Sequence, residues 1–201
     1  MPVRALFPTL LHDAPLGDDA LVAELERSVR VLAHDDLAGR RWSKAHGYRG
    51  YTSYASLDDL PRRDPAFAAL KRRLDAQVAA FASECAFDLR GRRLKLDSLW
   101  VNLLRPGGHH SAHIHPHSVV SGTLYLALPP QAGAIRFEDP RFGLMMAAPP
   151  RFAQAPEPMR SFATVEPRVG DVLLWESWLR HEVMPHGGKG ERISVSFNYR
   201  W

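Results

Sequence analysis

The chain has 201 residues, 45% of them hydrophobic, with 26 Lys/Arg against 22 Asp/Glu and a single cysteine. That length buries one sizeable core, so one domain is expected, and the lone Cys85 excludes an internal disulfide or a cysteine-based zinc site and points to a reducing compartment. Residues 1–90 carry thirteen Lys/Arg against thirteen Asp/Glu and residues 91–201 thirteen against nine, a bias that suits an anionic ligand, while no dense basic stripe with interleaved aromatics marks a nucleic-acid footprint.

The opening "MPVRALFPTLLHDAPLGDD" lacks a long apolar run and a small-residue cleavage site. No stretch reaches the roughly 18 apolar residues that spanning a bilayer requires, so a cytoplasmic protein away from membranes is expected. In "DDALVAELERSVRVLAHDD", Leu21, Val22, Leu25, Val29 and Leu32 recur at three-to-four spacing, which predicts a helix with Asp18 or Asp19 as cap. "WSKAHGYRGYTSYASLDDLP" is aromatic and aperiodic and reads as a structured loop. Its tyrosines either line a pocket mouth or pack helices against a sheet, with packing the favoured expectation. In "RDPAFAALKRRLDAQVAAFASEC", Asp64 is placed to cap and Pro65 fits the first turn. Phe67, Leu70, Leu74, Val78, Phe81 and Cys85 form one stripe of a packing helix.

From Leu94 the period changes to two. "LKLDSLWVNLL", "SGTLYLAL", "AIRFED", "SFATVE", "DVLLWES", "HEVMP" and "RISVSFNYRW" are β-rich runs separated by Pro- and Gly-containing turns, which predicts an antiparallel sandwich or barrel. The chain is thus expected to be one domain over 1–201, with helical support in 1–93 and a β core in 94–201. "MMAAPPRFAQAPEPM", residues 145–159, has the composition of a long loop, either a lid or a plain connection.

Histidines concentrate in "GGHHSAHIHPHS", residues 107–118. Side chains alternate along a strand, so His113 and His115 project to one face and can reach one ion, with His181 as the third candidate ligand. His109, His110, His117 and His186 are read as solvated. Farther on, Arg192 and Ser194 share a face of the last strand. An Arg pointing inward requires an anion, and its planar fork matches a carboxylate. The competing register puts Arg192 in water and Ile193, Val195 and Phe197 inside, unless the strand is covered on both faces.

"NLLRPGGHHSAHIH", a later "H" and "R-x-S" together resemble the iron(II)- and 2-oxoglutarate-dependent oxygenase superfamily, in whose nucleic-acid demethylase branch an Asn, a Gly and H-x-D fall at the intervals of Asn102, Gly107 and His113. More narrowly, "WVN…H-x-H-P…SGTLYL…FEDPR…GD-x-L-x-W…H…RISVSFN" is similar to a bacterial and phage group of 2-oxoglutarate oxygenases, over roughly residues 46–201. The resemblance implies a double-stranded β-helix, or jelly roll, with Fe(II) as cofactor and 2-oxoglutarate and dioxygen as co-substrates. A prime substrate that the sequence does not identify is hydroxylated, with release of succinate and CO2. It implies His113, His115 and His181 at the metal, Arg192 with Ser194 on the 2-oxoglutarate carboxylate, and Asn102 and Tyr125 against the co-substrate. No side-chain nucleophile is called for. His115 stands where the family has a carboxylate, so three imidazoles replace the two-His-one-carboxylate set unless Glu138 or Asp139 reaches the metal. Two alternatives stay open: a three-His cupin-type dioxygenase that does not use 2-oxoglutarate, and a jelly roll that binds metal or 2-oxo acid without turnover. The oligomeric state stays open as well.

Overall fold

Asp18 and Asp64 start the two long helices as their positions predict. In the computed structural model, which describes residues 3–201 and so leaves Met1 and Pro2 of the opening segment outside it, Asp18 accepts from the Leu21 N–H at 3.1 Å and Asp64 from the Ala66 N–H at 2.8 Å. These caps satisfy backbone donors that the first helical turn leaves open. The helices are α1 (Asp19–Asp35) and α4 (Pro65–Glu84), and between them lie α2 (Leu37–Ala45), strand β2 (Gly50–Thr52) and the short α3 (Leu60–Arg63). Strand β1 (Leu11–Pro15) precedes α1. After α4 come β3 (Lys95–Leu104), β4 (His110–His113), β5 (Val120–Ala127), β6 (Ile135–Glu138), β7 (Phe162–Val165), β8 (Asp171–Glu176), β9 (His181–Val183) and β10 (Arg192–Arg200).

The strands form two antiparallel sheets, a six-stranded one in the order β1-β8-β5-β10-β3-β2 and a four-stranded one in the order β4-β9-β6-β7. This is the expected jelly-roll layout. The predicted β runs from Leu94 onward all become strands. The N-terminal half is less purely helical than expected, because β1 and β2 are the two edges of the large sheet. Neither edge has a hydrophobic run to announce it.

The segment 42–61 is likewise more ordered than a loop. Helix α2 escapes a periodicity search because its buried positions are Gly39 and Ser43 rather than large apolar residues. The smallness is required: a Cβ on Gly39 would lie 2.3–2.8 Å from Asp36, Ser56 and Tyr51. Strand β2 approaches β3 so closely at Gly50 that a Cβ there would sit 1.8 Å from the Leu103 carbonyl oxygen.

The large sheet is covered on both faces, which settles the register of its strands. In β10, Ile193, Val195, Phe197 and Tyr199 join the core formed with Leu25, Val29, Phe67, Leu70 and Leu74 of the long helices. The alternate residues Arg192, Ser194, Ser196 and Asn198 line a cavity on the other face. Strand β3 divides the same way, with Leu99, Val101 and Leu103 toward the helices and Trp100 and Asn102 toward the cavity. Both faces are therefore inside, and the inner one carries the polar groups.

Candidate functional site

The cavity lies between the two sheets, and its volume is about 320 Å³. Strand pairing brings its histidines together. His113 at the end of β4 is the direct antiparallel partner of His181 at the start of β9. His115 lies two residues beyond β4, and its backbone N–H donates to the Ser177 carbonyl at 3.0 Å, tying it to the turn that leads into His181. Ile114 between them is exposed at the rim of the same cavity.

One ligand atom from each of His113, His115 and His181 lies within 4.8 Å of the other two. Two of the rings are held in a defined tautomer. His113 Nδ1 donates to the Ser111 carbonyl at 2.6 Å and His181 Nδ1 to the Leu179 carbonyl at 2.8 Å. A carbonyl only accepts, so both Nε2 atoms carry lone pairs, an assignment made from the partners. The His115 and His181 Nε2 atoms stand 3.3 Å apart. A divalent cation accepts a lone pair from each ring of such a cluster.

Burial holds His115 and His181 neutral. His181 is 4% exposed, enclosed by Trp175 and Phe137 at ring separations of 4.7 and 5.9 Å. Desolvation pushes its pKa down to about 3 and that of His115 down to about 4. His110 is pushed down to about 3 by burial and, secondarily, by the Arg192 charge. In the unfolded chain an imidazole titrates near 6.5, so below that pH the unfolded state takes up protons that the folded state refuses. Stability is fully present above 6.5 and is lost as pH falls from there toward 3–4. Each ring contributes a slope of up to about 1.4 kcal/mol per pH unit. Urea unfolding of the metal-free protein is therefore expected to show a falling midpoint from pH 6.5 to pH 5, above the range where most carboxylates titrate. A flat midpoint across that window would mean that the three rings are solvated.

Arg192 is 1% exposed. It donates from Nε to the Gly133 carbonyl at 3.2 Å and from Nη1 to Ser194 Oγ at 3.3 Å, and it pairs with no carboxylate among the described residues. Its guanidinium carbon lies 5.1 Å from the Tyr125 ring centroid. Two further donors on the cavity wall, Tyr125 Oη and Trp175 Nε1, are buried without a hydrogen-bond partner. Burial pushes the Tyr125 phenol up to about 12, which keeps its proton in place for donation. An unpaired guanidinium and two unmet donors in one desolvated cavity call for an oxygen-rich anion. A dicarboxylic 2-oxo acid meets that description.

Asn102 also lines the cavity, but much of its amide is already engaged. Its Oδ1 accepts from Tyr48 Oη at 3.2 Å and Thr52 Oγ1 at 3.0 Å, and its Nδ2 donates to Ser196 Oγ at 3.0 Å. It braces the wall that Tyr48 completes. Glu138 and Asp139 stay out of the metal cluster. Glu138 pairs with Arg180 at 3.3 Å and Asp139 with Arg141 at 2.8 Å, and no carboxylate lines the cavity among the described residues.

Several sequence expectations change here. His110, read as solvated, lines the cavity and meets Tyr48 Oη at 2.9 Å through Nε2. A bulge between His110 and His113 breaks the simple alternation that would have counted it. His186, also read as solvated, is buried, with its ring nitrogens facing the Gln131 and Gly190 carbonyls. His109 and His117 are exposed as expected. The tyrosines divide: Tyr51 packs in the core, whereas Tyr48 and Tyr54 line the cavity with Trp42 and Trp100. Trp100 was identifiable from alternation, being two residues from Asn102 on one strand. Trp175 lies in the readable strand "DVLLWES", but no sequence signal separates its inward face from the helix-facing one. Residues 145–159 contribute nothing to the cavity lining.

Residues 98–198 match the family model described as "Putative 2OG-Fe(II) oxygenase". No curated protein matches the chain. Among solved structures, a Pseudomonas putida prolyl-4-hydroxylase is similar at 19% identity and TM-score 0.61, over 96% of this chain and 94% of that one. HygX from Streptomyces hygroscopicus, solved with nickel and 2-oxoglutarate, is similar at 17% identity and TM-score 0.62, over 96% and 82%. SnoN, an α-ketoglutarate-dependent epimerase from nogalamycin biosynthesis, is similar at 16% identity and TM-score 0.64, over 96% and 78%. At these identities the likeness is one of fold.

Proposed function

The chain belongs to the 2OG-Fe(II) oxygenase family, and from that premise we propose that His113, His115 and His181 hold its iron, that Arg192 and Ser194 hold 2-oxoglutarate, and that the enzyme hydroxylates its substrate. As a member of the family it is an oxidoreductase that uses Fe(II) and 2-oxoglutarate. The observation that carries the residue assignment is Arg192, a buried cation without a carboxylate partner among the described residues, in the same cavity as a convergent imidazole cluster.

When bound, Fe(II) would activate dioxygen, which is the oxidant: 2-oxoglutarate would give up two electrons on becoming succinate and CO2, and the substrate C–H bond the other two on becoming C–OH. The side chains bind, orient and exclude water. The Arg192 fork is placed to take the far carboxylate of the co-substrate through parallel N–H donors, with the Ser194 hydroxyl beside it. Tyr125 Oη and Trp175 Nε1 are free to donate to further oxygens. Ile135 on the wall, with Phe137, Leu173 and Leu179 packed in the same cluster as Tyr125 and Trp175, makes the inner end apolar, which strengthens each of these contacts. Trp42, Tyr54 and Trp100 flank the substrate's approach, with Tyr54 and Trp100 edge to face at 5.4 Å and Trp100 stacked on His115 at 6.0 Å.

Three neutral imidazoles leave Fe(II) a net charge of about +2, against about +1 with one carboxylate ligand, so the centre attracts an anionic co-substrate more strongly. The alternative without 2-oxoglutarate leaves the Arg192 charge unexplained. Incubation with Fe(II), 2-oxoglutarate and air is expected to yield succinate and CO2 in equal amounts, dependent on both iron and oxygen. Tight 2-oxoglutarate binding without succinate would instead support a jelly roll that has lost turnover. The lone, free Cys85 supports a cytoplasmic location, and no helix among the described residues is long and apolar enough to cross a membrane.

A further inference from the structure

Beside the catalytic cavity lies a second hollow of about 710 Å³. Arg40, Arg41 and Lys44 of α2 form one side of it, Arg49 and Arg105 contribute further cations, and no carboxylate lines it among the described residues. Elsewhere many of the basic side chains sit against an acid, as in the Arg136–Glu182 and Arg141–Asp139 pairs. Among the described residues, only Arg105 of these five reaches one, Glu191 at 3.4 Å. The hollow adjoins the catalytic cavity, with Tyr48 as the wall common to both. Trp42, one residue from Arg41, faces the cavity side.

We propose that the prime substrate carries a phosphate-type group, which docks among Arg41, Lys44 and Arg49 while the rest of the molecule passes Tyr48 and Trp42 into the catalytic cavity. Guanidinium forks present paired N–H donors to the oxygens of a tetrahedral oxyanion, and the lysine adds a mobile point charge. A dianion relieves the mutual repulsion of several clustered cations better than a single carboxylate does. The hollow's size is that of a small-molecule site, and the catalytic cavity offers no acid that would select a cationic substrate. The inference rests on the oxygenase reading of that cavity.

The test is a titration of the full chain with phenyl phosphate at low salt, in the presence of 2-oxoglutarate to occupy Arg192. Nitrogen-15 amide shifts are expected to map to residues 37–50 and to Arg105. The double variant Arg41→Glu/Lys44→Glu should bind phenyl phosphate at least about tenfold more weakly, the loss expected for removing charge-assisted hydrogen bonds. Arg92→Glu/Arg93→Glu, which reverses the same amount of charge elsewhere, should not. Equal loss in both double variants, shifts spread over the whole surface, or equal binding of neutral benzyl alcohol would each overturn the proposal. Tighter binding of hexaglutamate than of phenyl phosphate would overturn it in favour of an acidic polypeptide. Iron and 2-oxoglutarate titrations of the wild-type protein report the catalytic cavity separately, so the two readings can fail independently.

Discussion

Replacing His181 with alanine is expected to release the iron. The ring lies deepest of the three, its Nδ1 is fixed on the Leu179 carbonyl, and its Nε2 stands 3.3 Å from that of His115. Loss of an outer-sphere partner already costs metal sites about 10–100-fold in affinity, so loss of a direct ligand should exceed about a hundredfold. His113→Ala should behave alike, since His113 is the strand partner of His181 and its tautomer is fixed by the Ser111 carbonyl. The measurement is iron retained after desalting, followed by an equilibrium titration. Wild-type iron affinity in His181→Ala would sink the ligand assignment. Folding of the variant is checked by urea unfolding, and removal of a desolvated imidazole should flatten part of the acid dependence below pH 6.5.

Arg192→Met should separate the two ligands of the cavity: iron binds normally and 2-oxoglutarate does not. Truncating one partner of a buried, hydrogen-bonded charge pair costs about 2–5 kcal/mol, or roughly 30-fold to 4,000-fold in affinity. The same change tests whether Arg192 serves binding or architecture. A buried guanidinium without a counter-charge disfavours folding, so an apolar side chain of similar length should leave the ligand-free protein as stable or more stable. Wild-type protein should gain thermal stability on adding 2-oxoglutarate, and the variant should not. Unchanged 2-oxoglutarate affinity in Arg192→Met would leave the residue a purely structural role.

Much of the fold was legible because its signals are local. Asp18 and Asp64 cap through their own side chains, and the Phe67–Phe81 stripe shows the helical period directly. The later strands announce themselves through β-rich runs between Pro and Gly turns. The elements that went unread lack such signals. Helix α2 buries Gly39 and Ser43, and β1 and β2 are short edges whose pairing depends on β8 and β3. Of the site, the H-x-H pair was legible as a motif, although only His113 lies on a strand and His115 reaches the cluster through its tie to Ser177. His110 was not, because a bulge changes its phase.

Residue chemistry and spacing along the chain determined the inventory: two long amphipathic helices, a β-rich second half, three candidate imidazoles and Arg192 with Ser194 on one face of the last strand. Only the tertiary structure decided which face of β10 is the cavity, since both faces of a strand alternate equally and burial on either side follows from what packs there. Likewise, the pairing of β4 with β9 and the tie from His115 to Ser177 bring together rings more than sixty residues apart. Distance through space is set by hydrogen-bonded register between strands, and the spacing of residues within one strand does not encode it.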